Sequence, residues 1–190
     1  MLQIDLLEKW KKRDPLWEIK YEDSLLRKFC DYGLGTNQYS EVKAKTFGAA
    51  YEMIILAFFI GVYDNKDIPL TDDKSKTKKL GWAIENWGAS TKGRGVKYDD
   101  IQTYMFIALL VRTKNIDNML LDLDKGIIEA DKVIGAMMDQ MEAYINYGLH
   151  RFEDMLQEDP NCLYEEDAFF NIYYQYMVKF LQKRKKEGKL

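Results

Sequence analysis

Residues Ala49 to Tyr63 read AAYEMIILAFFIGVY, an almost unbroken apolar run with one carboxylate, Glu52, near its start. A helix rises about 1.5 Å per residue, so the run reaches only about 22 Å, short of the roughly 30 Å hydrocarbon core of a bilayer. It is expected to form a helix inside a protein core, with no membrane association. A helix that is apolar on every side has to be covered on every side, so the rest of the chain must supply the cover.

The remaining sequence is suited to that task. Hydrophobic residues make up 47% and charged residues 31%, with only 3 Pro and 12 Gly among 190 residues, a globular and helix-leaning composition. Leu2, Leu6, Leu7 and Trp10 recur at helical spacing until Asp14-Pro15, where the residue before proline is pushed out of the helical region. Pro15 to Ile19 reads as a possible short extended piece. A second helix is predicted from about Tyr21 to Tyr32, with Gly33 at its C-cap and Leu34 supplying the capping contact. The central helix is predicted to begin between Ser40 and Thr46 and to run through Tyr63. Beyond the connector KDIPLTDD, a helix capped near Asp73 or Ser75 is expected to carry Leu80, Trp82, Ala83, Ile84 and Trp87. Asp99-Asp100 should cap another, through about Arg112.

The C-terminal third is the most regular. Ile127, Ala130, Ile134, Met137, Met141, Tyr144, Gly148, Phe152 and Met155 follow one another in steps of three and four, a seam for a long bundle helix. Asp159-Pro160-Asn161 breaks it, and a last helix carries the aromatic cluster from Phe169 to Phe180 before the basic end KRKKEGKL. The expectation is an all-α, single-domain helical bundle with a long C-terminal helical hairpin around a central apolar helix. Residues 1–125 would form an irregular helical subdomain around the central helix, 126–182 the hairpin and 183–190 a basic tail. No strand pattern persists and no family motif can be read.

The chain offers little for the common chemistries. A carboxylate-bridged di-iron site needs Glu-x-x-His on two helices, and the chain has one histidine, His150, with Tyr147 at the required offset. Cys30, His150 and Cys162 have no zinc-site spacing. Asp122, Asp124 and Gly126 begin like a calcium loop, but Val133 stands where the bidentate glutamate belongs. Gly88 to Gly95, GASTKGRG, echoes a phosphate loop without its lysine and hydroxyl. No metal and no cofactor are expected. Two cysteines without a CxxC pattern suit a reducing compartment, and the start of the chain lacks a basic segment followed by an apolar one, so a cytoplasmic location is expected.

Three functions remain. The first is a non-enzymatic helical interaction or scaffold protein, self-associating or docking on a protein partner through Phe169, Phe170, Tyr173, Tyr174, Tyr176 and Met177, more apolar surface than a terminal helix needs to hide. The second is nucleic-acid or phosphate binding by Lys43, Lys45, Lys92, Arg94 and Lys97, with Lys74, Lys76, Lys78 and Lys79 extending the patch. A sequence pI near 5.4 weighs against it. The third is an enzyme using Glu52 as a buried carboxylate, in a pocket lined by Tyr51 and the Trp82 to Trp87 region; its alternative is that Glu52 pairs with a lysine or caps a helix end. Charge is strongly segregated: Asn115 to Ala168 holds fourteen acidic residues and three basic, whereas Phe169 to Leu190 holds six basic and one acidic. Such blocks can set how subunits meet.

Overall fold

The computed structural model describes residues 5–30, 47–88, 98–162, 165 and 167–188. It is mostly helical, with a small two-stranded antiparallel sheet that the all-α expectation did not include. Helix α1 (Leu6–Lys11) starts on Asp5, whose side chain accepts the Glu8 N–H, and buries Trp10 against Phe106. Strand β1 (Leu16–Glu18) follows, in the stretch read as extended from Pro15. The second helix is far shorter than predicted: a π-helical turn at Glu22–Leu26 leads into one α turn, α2 (Arg27–Phe29), and Cys30 is already extended and bridged to Phe47. The predicted cap at Gly33 lies outside the described residues.

The central helix α3 (Ala50–Asp64) begins later than predicted, because Phe47 is held in that bridge by its N–H to the Phe29 carbonyl. It ends on Asn65 in the left-handed conformation, with Lys66 N–H returning to the Gly61 carbonyl. No helix spans 73–87. Asp73 caps a single 3₁₀ turn at Lys74–Lys76, strand β2 (Thr77–Lys79) pairs with β1, and a second 3₁₀ turn covers Ile84–Asn86. The helical spacing of Leu80, Ile84 and Trp87 does mark buried residues. The backbone partners of the first two, however, are distant: Leu80 N–H bonds to Pro15 and Ile84 N–H to Arg13, while Trp87 N–H closes the local turn on Ile84, and Gly81 turns the chain between Leu80 and Ile84 at a φ of +93°.

Helix α4 (Asp99–Arg112) falls where predicted. Helix α5 (Ile116–Asp124) was not foreseen; Gly126 N–H and Ile127 N–H close its end on Leu123 and Asp122, so the calcium-like residues belong to a helix terminus. Helix α6 (Ala130–Glu158) runs 29 residues and is the axis of the fold. Its chief partner is α3 rather than the last helix. The two approach closely enough that a Cβ on Gly61 would stand 2.7 Å from the Tyr144 carbonyl oxygen, and one on Gly148 would fall on the Ala57 backbone. Helix α7 (Ala168–Lys186) continues well into the sequence expected to be a basic tail. It touches α6 where Phe169 meets Phe152 edge-on at 5.5 Å, then leans on α3 through Tyr63, which meets Tyr173 at 6.2 Å and Phe180 at 5.3 Å. No helix among the described residues is long and apolar enough to cross a membrane.

Candidate interaction surface

Because α3 is apolar all round, one side faces α6 and the opposite side is left for other elements. Met53, Ala57, Phe58, Ile60 and Gly61 are buried in the core. Leu56, Phe59 and Tyr63 instead floor a groove of about 470 Å³, walled by Ile101 and Tyr104 of α4 and by Tyr173 of α7. Glu52 and Phe47 line it too.

Glu52 and Tyr173 thus share one groove, although they were proposed for different functions. Both Glu52 oxygens are engaged: Oε2 accepts the Gly48 N–H at 2.8 Å and Oε1 accepts the Tyr98 hydroxyl at 3.2 Å. A glutamate three residues past the N-cap Ala49 that reaches back to an amide before the helix is a capping interaction. The groove beside it is not walled by the residues expected from the sequence. Tyr51 stacks on Trp87 at 5.9 Å, but neither lines the groove, and Trp82 is solvent-exposed.

The aromatic residues of α7 divide between two faces. Phe169 is core, edge-on to Phe29, Phe47 and Phe152. Tyr173 and Tyr176 are half-buried on the same side, Tyr176 beside Arg151, whose guanidinium pairs with Asp154 at 2.8 Å. Burial pushes the Tyr176 hydroxyl up, against the opposing influence of the Arg151 cation. About 110° round the helix, Phe170, Tyr174, Met177 and Leu181 are 71%, 60%, 37% and 46% exposed. Phe170 and Tyr174 stack on each other at 6.4 Å, so this outer stripe is partly ordered by itself. Tyr104, Ile107 and Val111 form a second exposed apolar row on α4. These stripes are legible in the sequence only once the inner face is known, since periodicity marks both faces alike.

The basic candidates Lys43, Lys45, Lys92, Arg94 and Lys97 lie outside the described residues. Of the lysines that would extend them, Lys76 pairs with Asp73 at 3.3 Å, and Lys78 pairs with Glu22 at 2.8 Å while lying over the Trp17 ring. His150 is exposed, 3.7 Å from Asp154. Cys30 is buried and Cys162 half-buried, both free thiols whose ionisation burial pushes upward. Among the described residues no group of three or more His, Cys, Asp or Glu side chains is placed to hold a metal ion.

A buried polar cluster escaped the sequence reading. Asn146 of α6 donates to Glu18 Oε1 at 3.1 Å and to the carbonyls of Ile68 and Pro69 at 3.2 Å each. Burial pushes the Glu18 carboxyl up, but Lys20, the Thr71 N–H and Asn146 outweigh it and hold Glu18 below its ordinary range. One turn before Asn146, Glu142 accepts the Leu16 N–H at 2.8 Å. Burial, with Asp139 and Asp14 adding to it, pushes its carboxyl up to about 7 against that bond. The available signal was a polar pair four residues apart inside an apolar seam. The cluster fastens β1 and the 68–71 segment to α6. No family model, no curated protein and no solved structure matches the chain.

Proposed function

We propose that this chain is a non-enzymatic protein-interaction module, built as a helical bundle on α3 and α6 and making contact through the outer stripe of α7. The observation that carries this reading is the exposure of Phe170, Tyr174, Met177 and Leu181 in one row on a helix whose other apolar face is already anchored in the core. Hiding such a row from water is favourable at about 25 cal/mol per Å², and large aromatic side chains are the usual anchors of protein contacts. A cytoplasmic setting fits two cysteines that are both free thiols.

Site-specific photocrosslinking tests the reading. With benzoylphenylalanine in place of Tyr174, irradiation of cells making the protein is expected to give discrete protein adducts. The same group in place of Lys179, on the opposite side of α7, is expected to give none. Adducts from neither position, or equally from both, would overturn it.

A further inference from the structure

We infer that the outer stripe of α7 is covered by the same stripe of a second copy of this chain, the two helices running antiparallel about a two-fold axis between residues 175 and 176. This rests on the interaction reading above and names its partner. Three features of α7 support it.

First, the exposed residues Phe170, Tyr174, Met177 and Leu181 are separated by steps of four, three and four, a spacing that reads the same in both directions. That symmetry lets every residue of the stripe meet another stripe residue when the helix is turned end for end about a two-fold axis, as in an isologous contact. Tyr174 then faces Met177 of the second copy, and Phe170 faces Leu181, so each aromatic ring meets a flexible aliphatic side chain.

Second, the charges flanking the stripe are opposite at its two ends. Glu165 and Asp167 precede it, and Arg184, Lys185 and Lys186 follow it. In the register fixed by the apolar spacing, Asp167, the N-cap of α7, lies opposite Arg184 of the second copy. Asp167 and Arg184 each lie within about 60° of the stripe's centre line, close enough to meet at its edge. Arg184 now rests 5.6 Å from the Phe180 ring, beside the stripe. A parallel pairing would set four consecutive basic residues, Lys183 to Lys186, against themselves, and like charges across a contact select against that arrangement.

Third, antiparallel packing sets the positive N-terminal end of each helix beside the negative C-terminal end of the other, which the helix dipoles favour. Four apolar side chains per copy make a small contact, so the association belongs to the weak, reversible class.

Sedimentation equilibrium of the full chain tests this, with Arg184→Glu, Asp167→Arg and the double variant, each checked for unchanged helicity. The expected result is a reversible dimer. Each single reversal acts at both symmetric edges and weakens it about tenfold or more. The double variant restores the pair with its signs exchanged and returns the dissociation constant to within about threefold of the original. A dimer indifferent to the single changes, or not rescued by the double, overturns the antiparallel register while leaving the interaction reading intact. A strict monomer whose position 174 crosslinks to a different protein removes the second copy alone. A monomer that gives no crosslink sinks both.

Discussion

Gly148 of α6 lies directly on the Ala57 backbone of α3, so that no side-chain atom fits between the two helices at their crossing. Backbone contact of this kind brings the apolar faces of both helices into reach along their length, which is how a single 15-residue helix becomes the centre of the core. Gly148→Ala is expected to destabilise the protein by about 3 kcal/mol, since backbone rather than a movable side chain blocks the methyl group. Gly135, also in α6, has nothing within 4 Å of its would-be Cβ. Gly135→Ala should stabilise by about 0.5–1 kcal/mol through helix propensity. Urea unfolding of both variants checks the pair; equal effects would contradict the close crossing.

Glu142 makes stability fall as pH rises from weakly acidic to neutral. Its carboxyl titrates near 4.5 when unfolded and near 7 when folded, so folding favours the protonated form. The contribution is full below about pH 4.5 and is lost as pH rises through about 7, amounting to about 3 kcal/mol at about 1.4 kcal/mol per unit. Glu18 and Glu22, held low by their partners despite burial, act in the opposite sense and lose stability as pH falls below about 4.5. Glu142→Gln keeps an oxygen for the Leu16 N–H and should remove most of the decline between pH 5 and 7.5 in denaturant titrations. A Gln variant that declines as steeply as the parent would assign the dependence elsewhere.

Asn146 is the keystone of the polar cluster: the two hydrogens of its amide nitrogen are shared among Glu18 and two loop carbonyls, all within 3.2 Å. Asn146→Ala should cost about 2–3 kcal/mol, because Glu18 and the carbonyls lose a buried donor. Hydrogen exchange should quicken most at Thr71, whose amide bonds to Glu18. Loss of stability without that local change would mean that Asn146 acts only by packing.

Much of this fold was readable because much of it is local. The seam from Ala130 to Met155 and the run from Tyr51 to Tyr63 signal helices through spacing alone, and both helices exist. The 73–87 segment misled for the opposite reason. Leu80, Ile84 and Trp87 have helical spacing and are buried, yet their burial comes from strand pairing of Trp17 with Lys78 and from hydrogen bonds to residues 13 and 15. Such pairing across about 60 residues leaves no local trace. The same holds for α7: the richness of its aromatic residues was plain, but only the positions of Phe29, Tyr63 and Phe152 decide that Phe169 faces inward and Phe170 outward. The polar pair Glu142 and Asn146 was visible as an interruption of the seam, although its partners in β1 and the 68–71 segment were not.

Glu52 tests whether the carboxylate of α3 serves structure. Glu52→Ala should cost about 1 kcal/mol through loss of the Gly48 and Tyr98 bonds, whereas Glu52→Gln should keep most of that stability, its amide oxygen still accepting one donor. Thermal unfolding of the two variants separates them. Equal or negligible losses would show that neither bond contributes.

The most direct test of the account is the mass of the protein in solution, followed across a concentration series, against a variant carrying Phe170→Glu and Tyr174→Glu. The parent should rise reversibly from its 22.4 kDa chain mass toward twice that value, and the variant, equally helical, should stay at the chain mass throughout. A parent that remains a single chain at every concentration, or a variant that associates as the parent does, would contradict the pairing of two copies through the outer face of α7.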